Sequence, residues 1–154
     1  MNVLKKVLNS ISSISFISSI RIKKIFWVMD EQEFKHIVDE LNIYKGIEEV
    51  FLLNSEGDVI FKSSTINPLT NHEAKAILKA WKEKEPSLTY QNFRYAILKN
   101  DDIQLAAKNI SGGKGNIAGS ITKEGDSYLL VHISEETELI LLEWSIAVNK
   151  VAWS

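Results

Sequence analysis

The sequence predicts an α/β domain of the α+β kind, an antiparallel sheet of five to six strands sandwiched by helices. Three observations predict it. Two stretches repeat apolar residues at helical spacing, Phe34-Ile37-Val38-Leu41 and Ala74-Ile77-Leu78-Trp81, so each buries one stripe of a helix. Short runs of branched and aromatic residues are separated by Asn-Ser-Glu-Gly, Asn-Asp and Glu-Gly-Asp turns, the punctuation of antiparallel hairpins. At 154 residues the chain has room for one domain with its own core and too little for two ordinary ones.

Each element has a local cause. Asp30 opens the first helix by accepting from free backbone amides, and Glu33 completes a capping box. Lys45-Gly46 closes it, a cation and a glycine where a helix C-terminus favours both. Ile47 to Asn54 reads as a strand, Asn54-Ser55-Glu56-Gly57 as its turn, and Asp58 to Ser63 as the returning strand. After a polar loop, Thr70 and Glu73 repeat the capping-box pattern, and Glu85-Pro86 ends the second helix. Its polar face carries Lys75, Lys79 and Lys82.

Two hairpins follow. Phe93, Tyr95 and Ile97 alternate with Arg94, Ala96 and Leu98, and Asn100-Asp101 turns the chain into Ile103 to Asn109. Ser111 to Asn116 leads to Ile117 to Lys123, and Glu124-Gly125-Asp126 turns into Ser127 to Ile133. A last helix is expected from Glu135 to Val151, acids at its start and Lys150 at its end. Its apolar face, from Leu139 through Trp144 to Val151, is wide enough to predict burial on more than one side. The order is α-β-β-α-β-β-(β)-β-α.

Composition narrows the function. There is no cysteine, which excludes disulfides, thiol catalysis and thiolate metal sites. The net charge of −2 is unevenly spread. Residues 1–28 hold Lys5, Lys6, Arg21, Lys23 and Lys24 and no acid, leaving 13 of the 18 cations against all 20 acids in residues 29–154. An acidic domain argues against nucleic acid, whose phosphates need clustered cations. The basic leader has three readings. It could precede a true start at Met29, serve as a surface- or partner-binding segment that lets the chain touch a membrane, or act as a secretion signal. The last is disfavoured by Arg21, Lys23 and Lys24, which stand where a small-residue cleavage site belongs. The domain is therefore taken as 29–154.

The most specific residues lie between Lys45 and Ala74. Lys45-Gly46-Ile47 precedes the first strand, Asn54-Ser55-Glu56-Gly57 makes the first turn, and Ser64-Thr65, Asn67-Pro68 and Thr70 lead into the second helix, with Leu88-Thr89 further on. This pattern resembles the roadblock family. The resemblance implies a non-enzymatic, cytoplasmic homodimer that serves as scaffold or regulator for a small GTPase. It implies a dimer interface at Ile77, Trp81, Tyr90, Phe93 and Tyr95, where an unfinished sheet edge meets its copy, and a partner platform at Lys75, Lys79 and Lys82. The extra strand at Ile117 to Lys123 and the leader depart from that family. They leave an alternative, a profilin- or longin-like module at a cytoskeletal or membrane partner, tethered by the leader.

No catalytic constellation stands out. Ser111-Gly112-Gly113-Lys114-Gly115 precedes a strand rather than a helix, so it is a flexible hairpin loop rather than a phosphate cradle. His36, His72 and His132 are scattered, with no ligand spacing for a metal. Asp101-Asp102 and Glu135-Glu136 have local reasons to be acidic, a turn and a helix start. Neither a cofactor nor a metal is expected.

Overall fold

A computed structural model describes residues 29–65 and 69–154. The basic leader and the Asn67-Pro68 loop expectation lie outside the described residues. The elements are α1 (Glu31–Leu41), β1 (Ile47–Asn54), β2 (Val59–Lys62), α2 (Asn71–Lys82), β3 (Ser87–Tyr90), β4 (Phe93–Asn100), β5 (Gln104–Asn109), β6 (Asn116–Ile121), β7 (Ser127–Ile133) and α3 (Leu141–Ala152). All seven strands form one antiparallel sheet in the order β2-β1-β7-β6-β5-β4-β3.

The local signals act as their chemistry dictates. Thr70 caps α2, its hydroxyl accepting from the Glu73 amide at 3.1 Å. Asn54 organises the β1–β2 turn, its side-chain oxygen accepting from Glu56 and Asp58 amides at 3.0 and 2.9 Å. The sheet separates two cores. On one face, Phe51, Tyr95, Leu105, Ile117 and Leu130 pack under α2 through Ile77 and Trp81. On the other, α1 and α3 bury Phe34, Ile37, Leu41, Trp144 and Val148. Gly119 makes room for this arrangement: a Cβ there would lie 2.8 Å from Cη2 of Trp81.

The strand count departs from expectation in one place. Ser87–Tyr90 is a seventh strand at the sheet's end, paired to β4 with Tyr90 opposite Phe93. The two residues between them, Gln91 and Asn92, both take positive φ, 52° and 67°, as a tight primed turn requires. Glycine usually marks such a turn, and here none does. The expected extra strand is present as β6, between β5 and β7 in the sheet.

The last helix starts later than expected. Residues 134–140 are held instead by the turn after α1: the Ser134 amide donates to the Gly46 carbonyl at 2.7 Å and the Glu138 amide to the Lys45 carbonyl at 2.9 Å. The Glu138 carboxylate in turn accepts from the Lys45 amide at 3.0 Å. Helix α3 begins where Glu143 accepts from the Ile140 amide at 3.0 Å.

Candidate interaction surface

The residues expected at a dimer interface do not form one. Ile77, Trp81, Tyr90 and Tyr95 are all buried, at 1, 3, 2 and 1% exposure, inside this subunit's own core. Phe93 alone is open, at 38%. The strand expected as an unfinished edge is flanked on both sides, by β3 and β5, so its ladder is already satisfied. That corrects the expectation: the supposed edge and four of the five supposed anchors are taken up within the subunit itself.

The lysine platform is partly engaged at home. Lys75 of α2 pairs with Asp58 in the β1–β2 turn and holds that carboxyl below its usual range. Lys82 donates to the Ser55 carbonyl at 2.9 Å and its ammonium stands 5.3 Å from the Tyr128 ring centre. Lys79 is exposed. Lys75 and Lys82 thus secure α2 to the hairpin and its flank, and Lys79 points to solvent.

The glycine loop differs from expectation as well. The Lys114 carbonyl accepts from the Tyr95 hydroxyl at 2.9 Å and from His132 Nε2 at 2.8 Å. Glu135 accepts from the Gly113 and Gly115 amides at 3.1 and 3.0 Å. Four bonds pin a loop that the sequence marked as flexible. Of the histidines, His36 pairs with Glu40 on α1, His72 is exposed, and His132 is largely buried, which pulls its imidazole below the ordinary value of 6.5. Among the described residues no group of three or more His, Cys, Asp or Glu is placed to hold a metal.

The unexpected surface lies on the opposite face. Helix α3 buries Trp144, Ser145, Val148, Val151 and Ala152, while Leu142 and Ile146, one turn apart, stay 56 and 62% exposed. Ser145 bonds Gln104 at the start of β5 at 3.1 Å, and Asn149 bonds Ser120 of β6 at 3.0 Å. These contacts set α3 across the middle strands. Tyr95 and Ile97 belong to the core under α2, so the alternate residues Arg94 and Ala96 face the α3 side. Leu98 is the extra residue of a bulge, since Ile97 opposes Ala107 and Lys99 opposes Ala106, and it stands 64% exposed. Ile103 is also open, at 39%, and Lys108, opposite Ala96, adds a cation on the α3 side. Leu142 and Ile146 thus leave the outer side of α3 apolar, and Leu98 and Ile103 are separate open apolar residues near the β4–β5 turn. An exposed apolar helix face is a candidate for a protein interface. The signal was present in sequence, as the excess apolar width of the last helix, but a wide stripe reads equally as burial.

The comparisons decide the family. Over 126 residues the chain is 67% identical to Loki profilin-3 from Lokiarchaeum sp. (strain GC14_75), covering 82% of this chain and all of that one. The chain belongs to the profilin family. No protein-family model matches it. This profilin shares its fold with LokiProfilin1, at 21% identity and a TM-score of 0.66 over 80% of this chain and 95% of that one. LokiProfilin2, solved as a complex with rabbit actin, gives 20% identity and a TM-score of 0.67 over 80% and 95%. A Schizosaccharomyces pombe profilin gives 16% and 0.60 over 76% and 90%.

These findings overturn the roadblock reading and, with it, the GTPase scaffold. The Lys-Gly-Ile and Asn-x-Glu-Gly signatures belong to the turn chemistry of an α-β-β opening, which a profilin also has. The general expectation of a profilin-like α+β sheet holds, with seven strands and three helices among the described residues. Family membership also bears out the expectation that this is not an enzyme. Among the described residues no helix is long and apolar enough to cross a membrane.

Proposed function

We propose that this profilin binds an actin-type monomer through the face formed by β4, β5 and α3. The observation that carries the reading is the open apolar pair Leu142 and Ile146 on the outer side of α3, on a chain 67% identical to a profilin. Relatives in fold point the same way: LokiProfilin1 and LokiProfilin2 were each solved with rabbit actin. The mechanism is surface complementarity. Burying a large aliphatic side chain is worth roughly 1.5–3 kcal/mol, so three or four such anchors supply the core of an interface. Arg94 and Lys108 at the margin would favour an acidic partner rim and speed encounter at low salt.

An actin polymerisation assay tests this. The wild-type chain should slow spontaneous assembly of rabbit actin, or of the host's own actin homologue, by holding monomers. Leu142→Glu combined with Ile146→Glu should abolish the effect while the circular dichroism spectrum and melting curve stay within about 0.5 kcal/mol of wild type, as expected for exposed positions. No effect of the wild-type chain on either actin overturns the proposal, and so does an unchanged effect in the double variant.

A further inference from the structure

Beyond that face, a second feature lies on the other side of the sheet. A cleft of about 500 Å³ opens between the β3–β4 hairpin, the glycine loop and the segment after β7. Its floor is aromatic. The Tyr90 and His132 rings lie 4.8 Å apart, and Tyr95 meets each of them edge-on, with centres 6.2 and 6.3 Å away. Phe93 lines the mouth.

Carboxylates surround these rings. Glu48, Glu135 and Glu136 line the cleft. Glu49 and Glu73 act on the floor as well. Burial first, and then the charges of Glu49, Tyr95, Glu73 and Glu48, push the Tyr90 phenol far above its ordinary value. Burial and Glu135 push the Tyr95 phenol up to about 12. One cation lines the cleft, Lys114, and its ammonium lies over the Phe93 ring, 4.7 Å from the centre. The chain's own lysine thus already stacks on a ring face of a cleft that three carboxylates line.

We propose that this cleft receives a lysine or arginine side chain from a partner protein, stacked on Phe93 in place of Lys114 and countered by Glu48, Glu135 and Glu136. Three observations carry it together: the volume of the cleft, its aromatic walls, and a cation already stacked there by the chain itself. A proline-type or aliphatic ligand would use the rings and leave the carboxylates without a role. An anion would meet them head-on.

Amide chemical shifts of the full chain test the idea with a short Gly/Ser peptide carrying one central arginine, and with its citrulline analogue, which keeps the shape and loses the charge. The arginine peptide should shift Phe93, Gly113 and Ser134, bind at least tenfold more tightly than the citrulline peptide, and weaken with salt. Lys114→Ala should tighten binding several-fold by removing the internal competitor. Glu48→Gln with Glu136→Gln should weaken it by a similar factor. Equal response to both peptides overturns the proposal. Shifts confined to the Leu98 and Ile146 face, or no response in either wild type or Lys114→Ala, overturn it too.

Discussion

Gly112 and Gly115 share a loop and a positive φ, 80° and 76°, yet only one of them is irreplaceable. A Cβ at Gly115 would sit 1.8 Å from the Ile133 carbonyl oxygen, while one at Gly112 meets nothing within 4 Å. Gly112→Ala should therefore cost only the left-handed strain, about 1–2 kcal/mol. Gly115→Ala must also move backbone and should cost roughly 3 kcal/mol or more; urea denaturation of the two variants measures the gap. Trp81→Ala should cost about 3–5 kcal/mol in the same experiment, as a buried indole does. A near-neutral result would return Trp81 to the surface. His132 gives a pH signature. Burial places its folded-state titration below 6.5, so below that pH the unfolded chain binds the extra proton and gains. The stability tied to neutral His132 is complete above pH 6.5 and is lost as pH falls toward its folded value. Denaturation midpoints should fall from pH 7.5 to 5.5 more steeply in wild type than in His132→Gln, whose amide can still donate to the Lys114 carbonyl. Asp58, held below its usual range, stays ionised throughout that window.

At the scale of elements, α2 was legible because periodicity and cap agree. Helix α1 was legible from its periodicity, although it ends at Leu41, short of the expected stop at Lys45-Gly46. Removing the α2 cap with Thr70→Ala should lower stability by about 1 kcal/mol, visible as a shift in thermal midpoint. Strand β3 was not legible, because Gln91-Asn92 carries none of the glycine that announces a two-residue hairpin. Missing that strand left β4 looking like an edge, which agreed with the dimer interface that the roadblock resemblance implied. The start of α3 was misplaced for a different reason. Acids at 135, 136 and 138 look like a helix opening, but Glu135 serves the glycine loop and Glu138 serves Lys45, contacts across long sequence separations that no local pattern encodes. Leu142 and Ile146 were seen as apolar and read as buried. Periodicity identifies a stripe, and only the position of the neighbouring strands shows which part of it is covered.

For the whole molecule, the sheet's ends are β2 and β3, four residues each, and the longer strands are all paired on both sides. Short ends give little template for self-pairing. The chain should therefore run as a monomer at micromolar concentration in light scattering, and a stable dimer would show that some other surface associates. The fold class was readable from the chain because hairpins and amphipathic helices are local. The family was legible only as the alternative, the profilin-like one, because the turn and cap residues of the opening α-β-β segment fit both it and the roadblock pattern.

A sheet with its open apolar field on the α3 side and its acidic cleft on the α2 side has a consequence for assembly. Occupying one flank leaves the other untouched, with the full thickness of the domain between the two. Such a particle could hold a filament subunit in one hand and a basic tail in the other, and deliver the first to wherever the second is anchored.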